Sequence, residues 1–165
     1  MTVDFLKMMR KLAYPVCIAS AKCNNHHYAI TVSSVTSISL DPPSLLVCIN
    51  KESSFNEALR IGAPLNINFL SPAQKEIASV CSSKENVEKR FDNNLWSFDV
   101  NGSSFLKNSI AVAFGEVVDI VSYASHNIVI LRTEKVILDD KEQPDPLLYC
   151  NGAYASLGMV DGENN

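Results

Sequence analysis

Two long β-prone runs, Ile110 to Tyr123 and Ile128 to Leu138, constrain this chain more than any other feature. They are joined near Ala124-Ser125-His126-Asn127, which predicts an antiparallel pair of strands. Shorter runs precede them. Val16 to Ala21 and Tyr28 to Val32 flank the polar break Asn24-Asn25-His26-His27 and read as a hairpin. Asp41-Pro42-Pro43 stops the second of these strands, because proline cannot donate to a ladder, and Leu45 to Ile49 follows as a third. Leu65 to Leu70 alternates with period two, putting Leu65, Ile67 and Phe69 on one face. Leu147-Leu148-Tyr149-Cys150 offers a last short strand.

Helices are inserted in the first two thirds. Phe5, Met8, Met9 and Leu12 fall at helical spacing, and Pro15 ends that segment. Ser53 to Ile61 predicts a short helix stopped by Gly62. Ser71-Pro72-Ala73-Gln74 opens another, with Ser71 as N-cap, Pro72 at the first position and Gln74 closing a capping box. Ile77, Ala78 and Cys81 continue its apolar stripe. The charged stretch Ser82 to Lys89 predicts a further helix, and Arg90 to Ser104 is loop-rich. Strict βαβ alternation is missing, which favours an antiparallel barrel or sandwich over a doubly wound sheet.

The 165 residues suit one domain, expected over 1–158 with a disordered tail at 159–165. A net charge of −4 argues against nucleic acid or an anionic membrane as main partner. No apolar run approaches the roughly 20 residues of a spanning helix, and the start MTVDFLKMMRKL lacks a secretory pattern, so the cytoplasm is the expected location. Five cysteines without a C-x-x-C pair read as core thiols, neither a disulfide framework nor a metal site.

No G-x-G-x-x-G, G-x-x-x-x-G-K-[ST] or G-x-S-x-G occurs. Two polar segments stand out instead. Across Thr31 to Leu40, strand parity places Thr31, Ser33, Ser37 and Ser39 on one face, interrupted by Val35. Such hydroxyls beside backbone amides suit the edge of a planar heterocycle; they equally describe a solvated outer face. Cys48-Ile49-Asn50-Lys51-Glu52-Ser53-Ser54 leads from a strand into a helix start. Free N–H groups, hydroxyls and a lysine there suit an anion, though Ser53 as a plain N-cap needs no ligand.

Together these segments resemble the flavin reductase-like family, whose fold is the FMN-binding split barrel. Ala29 to Leu45, reading AITVSSVTSISLDPPSL, is similar to the family's A-x-T-V-S-S-x-x-S-x-S-x-x-P-P signature. Asn50 with Ser53-Ser54, Leu65 to Leu70 with Gln74, Arg90-Phe91, the His126 turn, and Pro146 to Tyr149 with Gly152-Ala153-Tyr154 extend the match from about residue 14 to 157. The chain departs from the family's Gly-Asp-His with Ala124-Ser125-His126, and places Phe55 where a hydroxyl is common.

The resemblance implies a homodimer of six-stranded antiparallel split barrels that reduces FMN or FAD with NADH or NADPH. It assigns the flavin ring edge to Thr31, Val32, Ser33 and Ser34, and the ribityl and phosphate to Asn50, Lys51, Ser53 and Ser54. Ser37, Cys48 and Ile49 are further flavin contacts; His126, and secondarily Tyr154, fall to the nicotinamide. A flavin-dependent monooxygenase is the implied consumer of reduced flavin. A flavin-carrying electron-transfer module without a nicotinamide site and a ferric reductase are the competing readings.

Overall fold

The chain begins with helix α1 (Thr2–Arg10), then strands β1 (Tyr14–Pro15), β2 (Cys17–Cys23), β3 (His26–Val32), β4 (Val35–Leu40), β5 (Pro43–Asn50) and β6 (Pro64–Phe69). Helix α2 (Lys75–Ser82) precedes β7 (Trp96–Phe98), β8 (Ser104–Leu106), β9 (Ala111–Tyr123), β10 (His126–Leu138), β11 (Leu147–Cys150) and β12 (Ala153–Ser156). This computed structural model describes residues 1–85, 87–140 and 145–157. The tail expected at 159–165 lies outside them.

The long runs pair antiparallel as β9 and β10, with His126 opposite Tyr123 and Leu138 opposite Ala111. They form the middle of a seven-stranded sheet of order β3-β2-β6-β9-β10-β5-β4. Its pairings are all antiparallel. Smaller sheets β1-β11-β12 and β7-β8 flank it. The edge strands β3 and β4 are consecutive in the chain and separated only by Ser33-Ser34. Laid flat, seven strands would hold those edges roughly 29 Å apart. Two residues bridge about 11 Å at most. The sheet therefore curls until its edges nearly meet.

Inside the curl lie Cys17, Ala19 and Ala21 of β2, with Val47, Ile49, Leu65, Ile67, Val117, Val129, Leu131 and Phe55. The alternate β2 residue Ile18 joins a second core with Ala29, Leu70, Ile77, Ala78, Cys81, Trp96 and Leu106. Both faces of β2 are thus buried, as in a sheet covered on two sides. β6 behaves alike. Leu65 and Ile67 fill the curl, while Asn66 and Asn68 are buried on the other face. Asn68 donates to the Ile18 carbonyl (2.8 Å) and accepts from the Leu106 N–H (2.7 Å), and Asn66 donates to the Ser104 carbonyl (3.0 Å). These amides dock the β7–β8 hairpin, whose first strand lies within the stretch Arg90 to Ser104 expected as loop-rich.

Several expectations need correction. The run from Tyr28 to Leu40 is two strands at opposite edges of the sheet, because the chain leaves β3 at Ser33 to close the curl. The continuous hydroxyl face from Thr31 to Ser39 therefore does not exist, and a register shift between Ser37 and Ser39 breaks the parity again. The first hairpin turns on Asn24 and Asn25, both at positive φ, with His26 and His27 already in β3. Ser53 to Ile61 forms only a five-residue 3-10 turn, Ser54–Ala58, ended before Gly62 at φ +81. The expected helix over Ser82 to Lys89 is absent among the described residues. α2 ends at Ser82, the Ser83 hydroxyl accepts from the Glu85 N–H (3.0 Å), and a 3-10 turn occupies Val87–Arg90. A further strand, β12, pairs with β11. Helix α1 buries none of its residues, and Val3, Phe5, Leu6, Met8 and Leu12 stand exposed. No helix among the described residues is long and apolar enough to cross a membrane.

Candidate functional site

Where β3 leaves the sheet, its last residues face the C-terminal half of α2. The Thr31 hydroxyl donates to the Ala78 carbonyl (2.6 Å) and fixes that distance. Between them opens a cavity of about 380 Å³, walled by Thr31, Val32 and Ser33, by Ser79 and Ser82 of α2, and by Tyr149 and Tyr154 of the small sheet. The two tyrosines meet edge to face at 5.6 Å. An apolar slot with a few hydroxyls and a backbone edge suits a flat aromatic ligand.

A second cavity, about 360 Å³, lies on the other side of Ser82, which lines both. Its wall includes Asn50, Glu52, Ser53, Ser54, Lys84 and Arg90. Asn50 holds this loop: its Oδ1 accepts from the Glu52 N–H (2.9 Å), and its carbonyl accepts from the Asn56 amide (2.8 Å). The Ser53 hydroxyl accepts from the Phe55 N–H (3.2 Å), and the Phe55 ring is fully buried in the curl.

Arg90 is 6 % exposed. It donates from Nη1 to the Ala29 carbonyl (2.6 Å) and from Nη2 to the Ser83 carbonyl. Its Nε finds no partner among the described residues. Neutral carbonyls leave the guanidinium without a counter-charge among the described residues, and a buried unpaired charge is costly. Lys84 faces Glu52 at 3.0 Å, which holds the Glu52 carboxyl below its usual range. Two cations against one carboxylate give the lining of this cavity a net positive charge. Cys81 also lines it, its thiol pushed up to about 12 by burial and therefore neutral.

The residues singled out by sequence divide into three groups. Thr31, Val32, Ser33 and Tyr154 line the first cavity, and Asn50, Ser53 and Ser54 the second. Ser34, Cys48 and Ile49 line neither cavity: Ser34 is exposed, Cys48 half-buried and Ile49 buried. The Ser34 hydroxyl accepts from the Cys48 N–H (3.2 Å) and donates to the Cys48 carbonyl (3.3 Å), while the Ile49 side chain is fully buried in the curl. Ser37, Lys51 and His126 line neither cavity. Ser37 is exposed on β4, and the Lys51 ammonium donates to the Ala124 carbonyl (2.7 Å) across the β9–β10 turn. His126 is exposed beside that turn, its Nδ1 2.9 Å from the Ser125 hydroxyl. Lys84, Glu52, Ser79, Ser82 and Tyr149 were not read as site residues. Glu52 lies inside the Cys48 to Ser54 segment and Tyr149 inside the Pro146 to Tyr149 match, while no local pattern marks Lys84, Ser79 and Ser82, which only the curl brings to Asn50 and Ser33.

Residues 9–158 match the model of the flavin reductase like domain. The chain belongs to that family. It is 32% identical over 155 residues to the reductase component of an FADH(2)-dependent resorcinol hydroxylase from Rhizobium sp. (strain MTP-10005), covering 93% of this chain and 86% of that one. It is 27% identical to an FMN reductase (NADH) RutF from Bradyrhizobium diazoefficiens, over 96% of this chain and 87% of the relative. The fold matches a flavin reductase domain protein from Arthrobacter sp. FB24 with a TM-score of 0.88 at 24% identity, over 99% of this chain and 100% of that one. It also matches the Streptomyces globisporus C-1027 NADH:FAD oxidoreductase SgcE6, solved with NAD and FAD fragments, with a TM-score of 0.85 at 15% identity, over 99% and 95% of the chains.

Proposed function

We propose that this family member is an NAD(P)H:flavin oxidoreductase whose flavin spans the two cavities joined at Ser82. The observation that carries the reading is the buried, charge-unpaired Arg90 beside Ser53 and Ser54, one cavity away from the aromatic slot at Ser33. A flavin mononucleotide has that layout, with a planar ring at one end and a phosphate at the other. Names of relatives support both halves of the reaction, an FMN reductase (NADH) among them.

Bound flavin supplies the chemistry by accepting a hydride at N5 from the nicotinamide C4. The protein's share is placement. Thr31, Val32 and Ser33 offer the ring edge hydroxyls and backbone groups. Asn50, Ser53, Ser54, Lys84 and Arg90 hold the ribityl chain and phosphate, with Lys84 and Arg90 in the role first read onto Lys51. Tyr149 and Tyr154 bound the slot from the small sheet and exclude water from one ring face. Orienting two reactants in contact lowers a barrier by several kcal/mol without an acid or base. His126 takes the nicotinamide carboxamide. Ser125, where the family commonly has aspartate, supports this by holding the imidazole in one orientation.

The curled sheet, with seven strands where six were expected, takes the part of this family's split barrel, open between β3 and β4. Two copies associate through exposed apolar surface, which includes α1, Leu40, Tyr123 and Leu138. Reduced flavin passes to a separate oxygenase, as the name of the resorcinol hydroxylase relative suggests. Five free cysteines and a nicotinamide requirement fit the cytoplasm. Flavin titration of the purified protein, followed by absorbance, tests the site: FMN binding should weaken when Arg90 is replaced. FMN binding that is indifferent to Arg90 would remove the phosphate assignment.

A further inference from the structure

Glu52 is an odd residue to find in an anion site. It lines the second cavity beside Ser53 and Ser54, and its backbone is pinned there by the Asn50 side chain (2.9 Å). Its carboxylate meets Lys84, 32 residues later, at 3.0 Å. Both side chains are largely exposed, at 75% for Glu52 and 80% for Lys84. Exposed pairs of this kind add little to stability, so the fold does not account for the carboxylate's position. A carboxylate next to a bound phosphate repels it, and one that holds the nearest mobile cation also competes for that cation. Arg90 is committed to two carbonyls and stays in place. Lys84, tethered to a solvated carboxylate alone, is the cation free to change partner.

We propose that Glu52 competes with the flavin phosphate for Lys84 and so tunes this protein to bind flavin as a substrate that leaves after reduction. The proposal rests on the reading of the second cavity as the phosphate end. Loss of the negative charge frees Lys84 and removes the repulsion, and both changes slow flavin release. The effect is confined to ligands carrying the phosphate, because riboflavin places nothing against Lys84. It also weakens with added salt, since the groups are exposed.

Fluorescence titrations of the parent, Glu52→Gln, Lys84→Met and the double variant with FMN and with riboflavin test this, alongside stopped-flow measurement of FMN release. Glu52→Gln should tighten FMN about fivefold, mostly through slower release, and leave riboflavin within about twofold. Lys84→Met should weaken FMN, and the gain from Glu52→Gln should shrink in its presence. If the parent prefers FMN over riboflavin but Glu52→Gln binds FMN no tighter, Glu52 is a surface ion-pair residue and the proposal fails. If the parent does not distinguish FMN from riboflavin, the phosphate assignment itself fails and the proposal falls with it.

Discussion

His126, the first residue of β10, is paired directly across from Asn50, the last residue of β5. Cross-strand partners point to the same face, so the imidazole leaves the sheet on the same side as the Asn50 side chain, which lines the second cavity. The proposed role of His126 toward the nicotinamide, and not the flavin, gives a separable outcome. His126→Ala should therefore leave flavin affinity within about twofold while slowing flavin reduction by NAD(P)H at least about tenfold. Ser33→Ala with Ser34→Ala should show the reverse order, with flavin binding weakened first. Stopped-flow reduction and flavin titration on both variants separate the two roles. A His126→Ala protein reducing flavin at the parent rate would make the histidine a turn residue only.

Arg90 couples the site to the fold, tying the Ala29 carbonyl of β3 to the Ser83 carbonyl after α2. Arg90→Met removes both donors and leaves two carbonyls short of partners, at a cost of about 2–4 kcal/mol. Denaturant unfolding should show a lower midpoint. In the fraction that stays folded, FMN should lose affinity more than riboflavin. Equal losses for the two ligands would mean that Arg90 serves the fold alone.

Gly115 on β9 lies where the β9–β10 ladder shifts register, between Thr133 and Lys135 of β10. A Cβ added there would come within 2.1 Å of the Arg132 carbonyl oxygen, a backbone atom that cannot swing aside. Gly115→Ala should destabilise the protein by about 3 kcal/mol or more, in the range of severe overpacking. Thermal unfolding measures it; a melting temperature within a degree of the parent would show that the ladder yields.

Much of this was legible in the sequence where local chemistry dictates structure. The β9–β10 pair followed from uninterrupted β-prone runs. The entry to α2 followed from Ser71, Pro72 and Gln74, and the Ser71 N–H indeed donates to the Gln74 side chain at 3.1 Å. What escaped depends on closure. Nothing in Thr-Val-Ser-Ser-Val distinguishes a strand that continues from one that leaves the sheet at Ser33 and re-enters on its opposite edge. Period two reads the same in both cases, so it predicts a hydroxyl face that the fold does not have. Lys51 looked like the phosphate cation because it neighbours Ser53, yet the cross-turn carbonyl of Ala124 claims it. Lys84 sits in the charged stretch Ser82 to Lys89 that predicts a helix, and Arg90 opens the stretch that reads as loop-rich; only the packing of β3 against α2 buries the arginine.

The cysteines give a pH signature. Burial pushes the thiols of Cys17 and Cys81 from 9.0 up to about 12. Below pH 9 both states keep these protons, and the thiols add no pH dependence. Between about pH 9 and 12 the unfolded chain loses protons that the folded chain retains, so stability falls as pH rises, by up to about 1.4 kcal/mol per unit for each thiol. Urea midpoints across that window should decline, and Cys81→Ala should flatten the decline. At pH 8 a thiol reagent should modify Cys23, Cys48 and Cys150, which are partly accessible, well before Cys17 and Cys81. Equal labelling of all five would contradict the burial.

The account stands most directly on whether this protein passes a hydride from a nicotinamide to a flavin held across the two cavities. Anaerobic stopped-flow mixing of the protein, with FMN or FAD bound, against NADH and against NADPH measures that step. The account predicts bleaching of the oxidised flavin band with at least one nicotinamide, and steady-state NAD(P)H oxidation that rises with added free flavin. Protein that binds flavin at Arg90 yet leaves the band unchanged with both nicotinamides, while dithionite reduces it, would contradict the reductase and leave a flavin carrier.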